Sequence, residues 1–387
     1  FGPSNGGILC VKGKFAYEFV NHPDRLKTPL IKKNGEFVEA SWEEAFDLIE
    51  NKMKSIKAQY GADALAGLSS ARVSNEENYL FMKFMRAAIG TNNVDHCARL
   101  CHASTVAGLA SVLGSGAMTN SIPEVLDADA ILVQGSNTTI AHPVLGTRII
   151  QAVKKGAKLI VIDPRKIPLT EIAEIHLQIK PGTNIAITNG MINVIIEEGL
   201  ADMDYINSRT EGFEEIKEMV KDYTPEKVAE ICGVDPEDIR KAARLYAKAD
   251  KAPIYYSMGV TQFASGTNGV IDMSNLCLVS GKMGKYGCGV NPLRGQNNVQ
   301  GACDLGALPT DLTAYQKVAN PEALKKFADF WGVELSANKG LTVTEMMKAI
   351  TEDKVKSLFI MGENPMISDP DINHVEEALE KCEFLVV

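Results

Sequence analysis

The amino-acid sequence predicts an α/β protein built on open parallel sheets. Four short apolar runs each end in Gly, Asn or Asp, and most of them lead into stretches with a helical pattern. Continuous apolar runs of this kind are typical of parallel strands that are buried on both faces. The alternation of the two patterns indicates β-α-β units. We therefore predict strands in the segments 130–137, 157–165, 252–259 and 357–364.

Helices are expected between these strands, because the segments 142–155, 183–198 and 266–282 have helical periodicity. Two further strands are predicted. One surrounds His176, where apolar and polar residues alternate, and the other is the apolar segment 383–387.

Helix starts carry clear local signals. Ser41 followed by Glu44 predicts a capping box, in which each side chain satisfies a free backbone amide. Thr224 and Asp235 are each followed by Pro, which suits the first helical position because its missing N–H has no partner there in any case. We expect helices to begin at these three places.

The composition excludes several classes of function. The 387 residues carry a formal net charge of -9, with no block rich in Lys or Arg, so a nucleic-acid partner is not expected. No apolar run reaches the roughly 20 residues that a membrane-spanning helix needs, so no direct membrane span is predicted. Eight irregularly spaced cysteines suit a reducing compartment, which predicts a cytoplasmic location. Both ends of the chain suggest a fragment of a longer polypeptide.

The strand ends predict where a ligand binds. In open α/β sheets, ligands lie outside the carboxyl ends of the strands. Here those ends carry Asn137, Asp163, Gly259 and Asn364, which suit a ribose, a base or a close backbone approach. Several such ends predict a long ligand or more than one nucleotide. Neither an ordinary dinucleotide fingerprint nor a P-loop occurs in the sequence.

The pair Cys101–His102 is the strongest candidate for chemistry. An ionisable sulfur beside a group that titrates near neutral pH suits a cysteine nucleophile with its base. It equally suits a thiolate metal ligand with a proton acceptor beside it. The pair alone leaves both alternatives open.

A polar segment from 291 to 304 is a second candidate. Arg294 in this segment could bind a carboxylate in bidentate fashion. Amide side chains surround it in larger number than a turn requires, so we expect a polar wall that donates to an extended cofactor. These amides are Asn291, Gln296, Asn297, Asn298 and Gln300.

Other cysteines and histidines carry weaker signals. Cys10 is either a core residue or the last ligand of an iron–sulfur cluster. His142 follows a strand-end loop and could contact a ligand, whereas His22, His176 and His374 are expected to be structural. The sequence lacks the paired spacings of a structural zinc site.

Together these segments resemble the catalytic subunit of molybdenum or tungsten formate dehydrogenases, in the molybdopterin oxidoreductase superfamily. The resemblance covers essentially the whole chain and implies two open parallel-sheet, Rossmann-like lobes. It is carried by seven blocks, namely 69–79, 91–108, 163–166, 208–214, 258–263, 294–306 and 361–365.

The resemblance implies the roles of five residues. Cys101 takes the position of the cysteine or selenocysteine that binds the metal, His102 that of the active-site histidine, and Arg294 that of the arginine that orients formate. Cys10 matches the last cysteine ligand of a [4Fe-4S] cluster, and Lys12 the lysine between cluster and pterin. The other cluster cysteines of the family do not occur in this sequence.

The same resemblance implies reversible oxidation of formate to carbon dioxide, with two molybdopterin guanine dinucleotides as cofactors. Electrons would pass through the cluster to an electron-transfer subunit or a ferredoxin-like acceptor, and His102 would take or relay the proton. Besides Lys12, the residues expected to bind the cofactors are Asn137, His142, Asp163, Arg165, Gly182, Asn184, Met258, Gly259, Gln262, Gln296, Gly362 and Asn364.

The domain boundaries expected from the resemblance are residues 1–28 for the remnant of the cluster domain, 29–96 with 297–387 for one α/β lobe, and 97–296 for the lobe that binds a dinucleotide. Competing functions are a nitrate reductase or another enzyme of the superfamily, and a scaffold subunit without catalysis. His102 and Arg294 argue against nitrate, and Cys101 argues against a scaffold that has lost its metal ligand.

Overall fold

A computed structural model describes residues 6–387. The chain divides into two compact units. One consists of the segment that ends at Glu18 together with Cys101–Gly295, and the other consists of Phe19–Leu100 and Gln296–Val387. We call them the first and the second unit. The predicted domain boundaries stay a prediction, since compactness alone does not test which segments fold as domains.

The strands, in chain order, are β1 (Leu30–Lys33), β2 (Glu36–Glu39), β3 (Leu65–Leu68), β4 (Val94–Asp95), β5 (Ala130–Gln134), β6 (Lys158–Ile162), β7 (Ile175–Leu177), β8 (Pro253–Tyr256), β9 (Gly289–Pro292), β10 (Asp311–Leu312), β11 (Gln316–Lys317), β12 (Ser357–Ile360) and β13 (Phe384–Val386).

The α-helices are α1 (Val11–Phe15), α2 (Trp42–Tyr60), α3 (Asn75–Lys83), α4 (Ala98–Cys101), α5 (Ala103–Leu113), α6 (Thr138–Ala141), α7 (Pro143–Lys154), α8 (Asn184–Glu197), α9 (Met203–Arg209), α10 (Phe213–Val220), α11 (Pro225–Cys232), α12 (Pro236–Lys248), α13 (Met258–Thr261), α14 (Gly266–Val279), α15 (Val299–Asp304), α16 (Pro321–Trp331), α17 (Val343–Thr351), α18 (Pro365–Ser368) and α19 (Ile372–Lys381). A π-helical segment, Phe84–Ile89, continues α3.

The first unit is built on a five-stranded parallel sheet in the order β7-β6-β5-β8-β9. After β5, the chain adds β6 and then β7 on one side of β5. It then crosses over and adds β8 on the other side of β5. This reversal makes a topological switch point between β5 and β8, the place where open sheets bind ligands. The three strands predicted in this unit are confirmed as β5, β6 and β8, and the strand around His176 is β7.

Apolar strand residues fill both faces of this sheet, as the continuous runs predicted. On one face, Leu132 and Ile160 pack with α8, α12 and α14. On the other, Ile131 and Val161 pack with α7. The expected helices are confirmed as α7, α8 and α14.

The second unit is built on a four-stranded parallel sheet in the order β13-β12-β3-β4. The predicted strands at 357–364 and 383–387 are confirmed as β12 and β13. The antiparallel hairpin β1–β2 also belongs to this unit. The expected fold class, α/β with open parallel sheets, is therefore confirmed for both units.

The predicted helix starts are also confirmed. Ser41 and Glu44 form a reciprocal capping box at the start of α2. Thr224 and Asp235 cap α11 and α12, each with Pro at the first helical position. Within residues 6–387, no helix combines the length and the apolar character that crossing a membrane requires.

Candidate functional site

A cavity of about 310 Å³ lies at the carboxyl ends of β5, β6 and β8 in the first unit. It occupies the switch point of the sheet, as the strand ends predicted. Ser136, Pro181, Ser257 and Phe263 line it, although the sequence did not single them out. The lining also gathers a group of residues predicted to bind cofactor: Asn137, Asp163, Arg165, Gly182, Asn184, Met258 and Gly259.

Hydrogen bonds within the first unit hold the cavity wall in place. The Asp163 carboxylate is buried and accepts a hydrogen bond from the Arg165 backbone amide at 2.8 Å. The Asn184 side chain donates to the Gly259 carbonyl at 3.2 Å. Gly182 has a φ of 86°, a backbone angle that residues with a side chain rarely adopt. The wall is therefore preformed by backbone and short polar groups.

Cys101 ends α4 and is half-buried. Its carbonyl accepts a hydrogen bond from the Thr261 hydroxyl at 2.6 Å, which ties it to the end of α13. Burial raises the pKa of the Cys101 thiol to about 11, and the nearby positive charge of Arg294 opposes this shift. The charge of Arg294 therefore acts on this thiol within the first unit.

His102 is buried, and both of its ring nitrogens have partners in the first unit. Nδ1 lies 2.9 Å from the Thr105 hydroxyl, and Nε2 lies 3.1 Å from the Leu293 carbonyl. Burial, and then the charge of Arg294, lower the pKa of His102 to about 4. The ring is therefore neutral at physiological pH.

These contacts argue against the cysteine-nucleophile alternative. A nucleophilic cysteine needs a lowered pKa and a base within hydrogen-bond reach. Instead the pKa of Cys101 is raised, and the nitrogens of His102 bond to Thr105 and Leu293. The metal-ligand alternative requires neither condition, because a soft metal ion can displace the thiol proton.

Arg294 follows β9 by two residues, which brings it into the first unit beside the pair. One guanidinium nitrogen donates to the Gly116 carbonyl at 2.9 Å. The Arg294 carbonyl accepts a hydrogen bond from Nε2 of His142 at 2.9 Å. Burial lowers the pKa of His142; the hydrogen bond to the Arg294 carbonyl opposes this shift, and the charge of Lys12 adds to it.

Cys10 caps the short helix α1, in the N-terminal segment of the first unit. The backbone amide of Gly13 lowers the pKa of its thiol, and the amide and charge of Lys12 act in the same direction. Gln262 is the C-cap residue that follows α13, and its backbone N–H donates to the Met258 carbonyl at 3.0 Å.

Three of the expected cofactor-binding residues lie in the second unit: Gln296, Gly362 and Asn364. Gly362 has a φ of 67°, and its carbonyl accepts a hydrogen bond from the Ser70 hydroxyl at 2.8 Å. A Cβ at Gly362 would lie 2.7 Å from a methyl group of Val73.

Several of the amides at 291–304, which are predicted to form a polar wall, have hydrogen-bond partners inside the protein. Asn291 is buried in β9, where its side chain accepts a hydrogen bond from the Asn120 amide at 3.1 Å. Asn298 donates to the Val73 carbonyl, and Gln300 donates to Asp304. The sequence shows that these side chains are amides, but it does not show which groups of the protein they bond to.

The site fits a large polar cofactor by three observations. In the first unit, Nδ1 of His142 is a buried acceptor for which the described residues supply no hydrogen-bond donor. Such atoms cost free energy unless a bound group satisfies them. Gly135 and Gly259 approach each other closely, so this part of the cavity wall consists of backbone atoms. Cys101 adds a half-buried soft sulfur of the kind that binds molybdenum or tungsten.

Comparison with known proteins agrees with this chemistry. The sequence matches the molybdopterin oxidoreductase family over residues 25–387. It is 51% identical, over 100% of this chain and 56% of the relative, to the F420-dependent formate dehydrogenase subunit alpha of Methanocaldococcus jannaschii. It is 45% identical, over 100% of this chain and 55% of the relative, to formate dehydrogenase H of Escherichia coli.

A solved structure has the same fold. Acetylene hydratase from Pelobacter acetylenicus superposes with a TM-score of 0.75 and 26% identity, covering 97% of this chain and 54% of that one. The chain thus spans little more than half the length of the relatives it matches. The fold, the cavity at the switch point and the sequence match agree: this chain belongs to the molybdopterin oxidoreductase family.

Proposed function

We propose that this chain carries the catalytic region of a formate dehydrogenase alpha subunit. The reaction is HCOO⁻ → CO₂ + H⁺ + 2e⁻, and it is reversible. One observation carries the proposal: His102, which follows Cys101, bonds through Nε2 to the carbonyl of Leu293, which precedes Arg294, although almost half of the chain separates them in sequence. The identity of 51% to a formate dehydrogenase alpha subunit supports it.

Membership of the family implies a molybdopterin cofactor with molybdenum or tungsten. We propose the finer assignment of two molybdopterin guanine dinucleotides, one of which lies in the cavity of the first unit. Cys101 would be the protein ligand of the metal, and Cys10 a ligand of a [4Fe-4S] cluster with Lys12 beside it. When bound, the metal centre supplies a two-electron acceptor.

The residues of the chain would then bind and orient the substrate. Formate is a small planar carboxylate, and a guanidinium binds it through two parallel hydrogen bonds, which fixes the direction of its C–H bond. Nε2 of His102 donates to Leu293, so Nδ1 is the nitrogen that can receive a proton. The Thr105 hydroxyl already bonds to Nδ1. A proton would therefore reach Nδ1 either by transfer through this hydroxyl or after the hydroxyl has moved away.

The electron acceptor belongs to the whole protein and is likewise proposed. We expect an electron-transfer subunit or a ferredoxin-like protein. The relative from Methanocaldococcus jannaschii is named as F420-dependent, which makes a deazaflavin the first acceptor to test. No disulfide joins cysteines within residues 6–387, which supports the proposed cytoplasmic location.

A second candidate function is another reaction of the same family. The match to acetylene hydratase shows that this fold is not restricted to one substrate. The pair of Arg294 and His102 favours a carboxylate that releases a proton over nitrate or a neutral substrate. The half-buried Cys101 thiol favours a catalytic chain over a scaffold.

The test uses the full-length protein. Metal analysis and formate-dependent reduction of a viologen dye are measured on the same preparation, with nitrate and acetylene as alternative substrates. We expect about one molybdenum or tungsten atom per chain. Dye should be reduced with formate, and neither nitrate nor acetylene should be turned over. A fully loaded protein that turns over nitrate or acetylene but not formate would refute the assignment.

A further inference from the structure

The buried hydroxyl groups around His102 form a directed hydrogen-bond chain. A carbonyl oxygen can only accept, so Nε2 of His102 must carry a hydrogen and donate to Leu293 across 3.1 Å. In a neutral ring Nδ1 is then the acceptor, and the Thr105 hydroxyl, at 2.9 Å, must donate to it. The contacts of the ring therefore select one tautomer.

The Tyr256 hydroxyl extends this chain by one step. It donates to the Thr105 oxygen at 3.1 Å. Thr105 and Tyr256 are both fully buried, so water cannot replace either partner. With its oxygen already accepting from Tyr256, Thr105 has its own hydrogen free for His102. The order is Tyr256 to Thr105 to His102 to Leu293.

The far end of the hydrogen-bond chain is the Leu293 carbonyl, which lies in the backbone next to Arg294. The Leu293 carbonyl accepts from His102 and also from the Ser257 hydroxyl at 2.9 Å. The next carbonyl, that of Arg294, accepts from His142 at 2.9 Å. Two imidazoles thus hold two successive carbonyls, one before and one after the Cα of Arg294, whose side chain would bind the substrate carboxylate.

We propose that Thr105 and Tyr256 are positioning residues of the active site. Together with the Leu293 carbonyl, their hydroxyls fix His102 as the Nε2–H tautomer, and that ring holds Leu293 so that Arg294 keeps its place. In the other tautomer, the Nε2 lone pair would face the Leu293 oxygen and the two acceptors would repel each other. The inference deepens the proposed function and rests on it for its kinetic readout.

The neighbouring residue Tyr255 supplies a matched control. It is fully buried on the same strand, β8, and its hydroxyl has no hydrogen-bond partner among the described residues. Tyr255→Phe and Tyr256→Phe therefore remove the same atom from the same strand. Only the second substitution breaks the chain to His102.

The experiment uses the full-length holoenzyme with ¹⁵N-labelled histidine, in wild-type form and as Thr105→Val, Thr105→Ser, Tyr256→Phe and Tyr255→Phe. Imidazole ¹⁵N shifts report the tautomer of His102, whose signals are assigned by their loss in His102→Gln. Formate kinetics are measured in parallel. The nitrogen shifts are independent of turnover.

We expect the wild type, Thr105→Ser and Tyr255→Phe to show the Nε2–H tautomer and the same KM for formate. Thr105→Val should show a mixture of tautomers and a KM raised about two- to tenfold, as the loss of one buried hydrogen bond predicts, with a smaller change in kcat. Tyr256→Phe should act in the same direction, and it decides the matter if Thr105→Val fails to fold.

Two results would overturn the proposal. One is an unchanged tautomer and KM in both Thr105→Val and Tyr256→Phe. The other is an equal loss in Thr105→Ser or Tyr255→Phe, which would assign the effect to packing. A loaded wild-type enzyme without formate activity would refute the proposed function, whereas the nitrogen shifts would still decide whether Thr105 and Tyr256 fix the tautomer.

Discussion

The Gly135 carbonyl accepts a hydrogen bond from the Gly259 amide at 3.0 Å, joining the ends of β5 and β8. Neither residue has room for a side chain. A Cβ on Gly259 would lie 2.6 Å from the Gly135 Cα, and a Cβ on Gly135 would lie 2.7 Å from the Gly259 carbonyl carbon. Because both obstacles are backbone, the strand ends can approach this closely only as glycines.

Gly259→Ala should therefore push the two strand ends apart. We expect the free energy of unfolding to fall by about 1–3 kcal/mol, the usual cost of overpacking, and the bound guanine nucleotide to decrease. Urea unfolding and nucleotide release from the denatured protein measure the two effects. Gly269→Ala is the control, because the nearest atom to its Cβ would belong to the Val260 side chain, at 3.1 Å, and the nearest backbone atom would lie at 3.9 Å. Equal behaviour of the two variants would contradict the role of the contact.

Arg294→Lys should weaken formate binding. The planar fork of the guanidinium is lost, and with it one of two charge-assisted hydrogen bonds worth about 1.5–3 kcal/mol, so kcat/KM should fall roughly 10- to 100-fold. Steady-state kinetics with formate measure this. Arg244→Lys, which changes a surface residue paired with Glu198 and Glu237, should keep wild-type kinetics. Wild-type kcat/KM in Arg294→Lys would remove Arg294 from the site.

Cys101→Ser should abolish turnover, because a hard oxygen replaces a soft sulfur ligand. X-ray absorption of the bound metal should show one sulfur fewer, while the pterin content stays unchanged. Cys382→Ser is the matched control, since Cys382 is a half-buried free thiol like Cys101. An identical metal shell in Cys101→Ser and the wild type would show that Cys101 is not a ligand.

Asp272 should make stability depend on pH. Its carboxyl is buried on α14, and burial raises its pKa from 3.8 to about 7. The folded state therefore holds a proton that the unfolded state releases. The contribution of this proton to the free energy of unfolding is fully present below about pH 4 and is lost as the pH rises through 7.

Asp272→Asn removes this dependence. Between pH 4.5 and pH 8 the variant should gain stability relative to the wild type, on the order of 3 kcal/mol. Urea unfolding at the two pH values measures the gain, and any fixed cost of the amide cancels in the difference. A difference between the proteins that does not change with pH would show that Asp272 is ionised in the folded state at both values.

Much of the sheet architecture was predictable because buried parallel strands need apolar residues on both faces, as in β5, β6 and β12. Strands β3 and β9 were not predicted. Strand β3 contains Gly67, against which the Phe81 ring packs so closely that a Cβ would lie 2.8 Å from it. Strand β9 contains Gly, Asn and Pro, which are disfavoured in strands. In both cases tertiary packing overrides local preference.

Local sequence is enough to predict the parallel α/β class, the helix starts and the side chains with candidate chemistry, because periodicity, capping and side-chain type are local properties. The contacts of the folded chain add that the nitrogens of His102 face Thr105 and Leu293, that the Tyr256 hydroxyl donates to Thr105, and that His102 thereby bonds to the residue before Arg294. Tautomer, burial and proximity depend on distances between residues far apart in sequence. The folded backbone sets those distances.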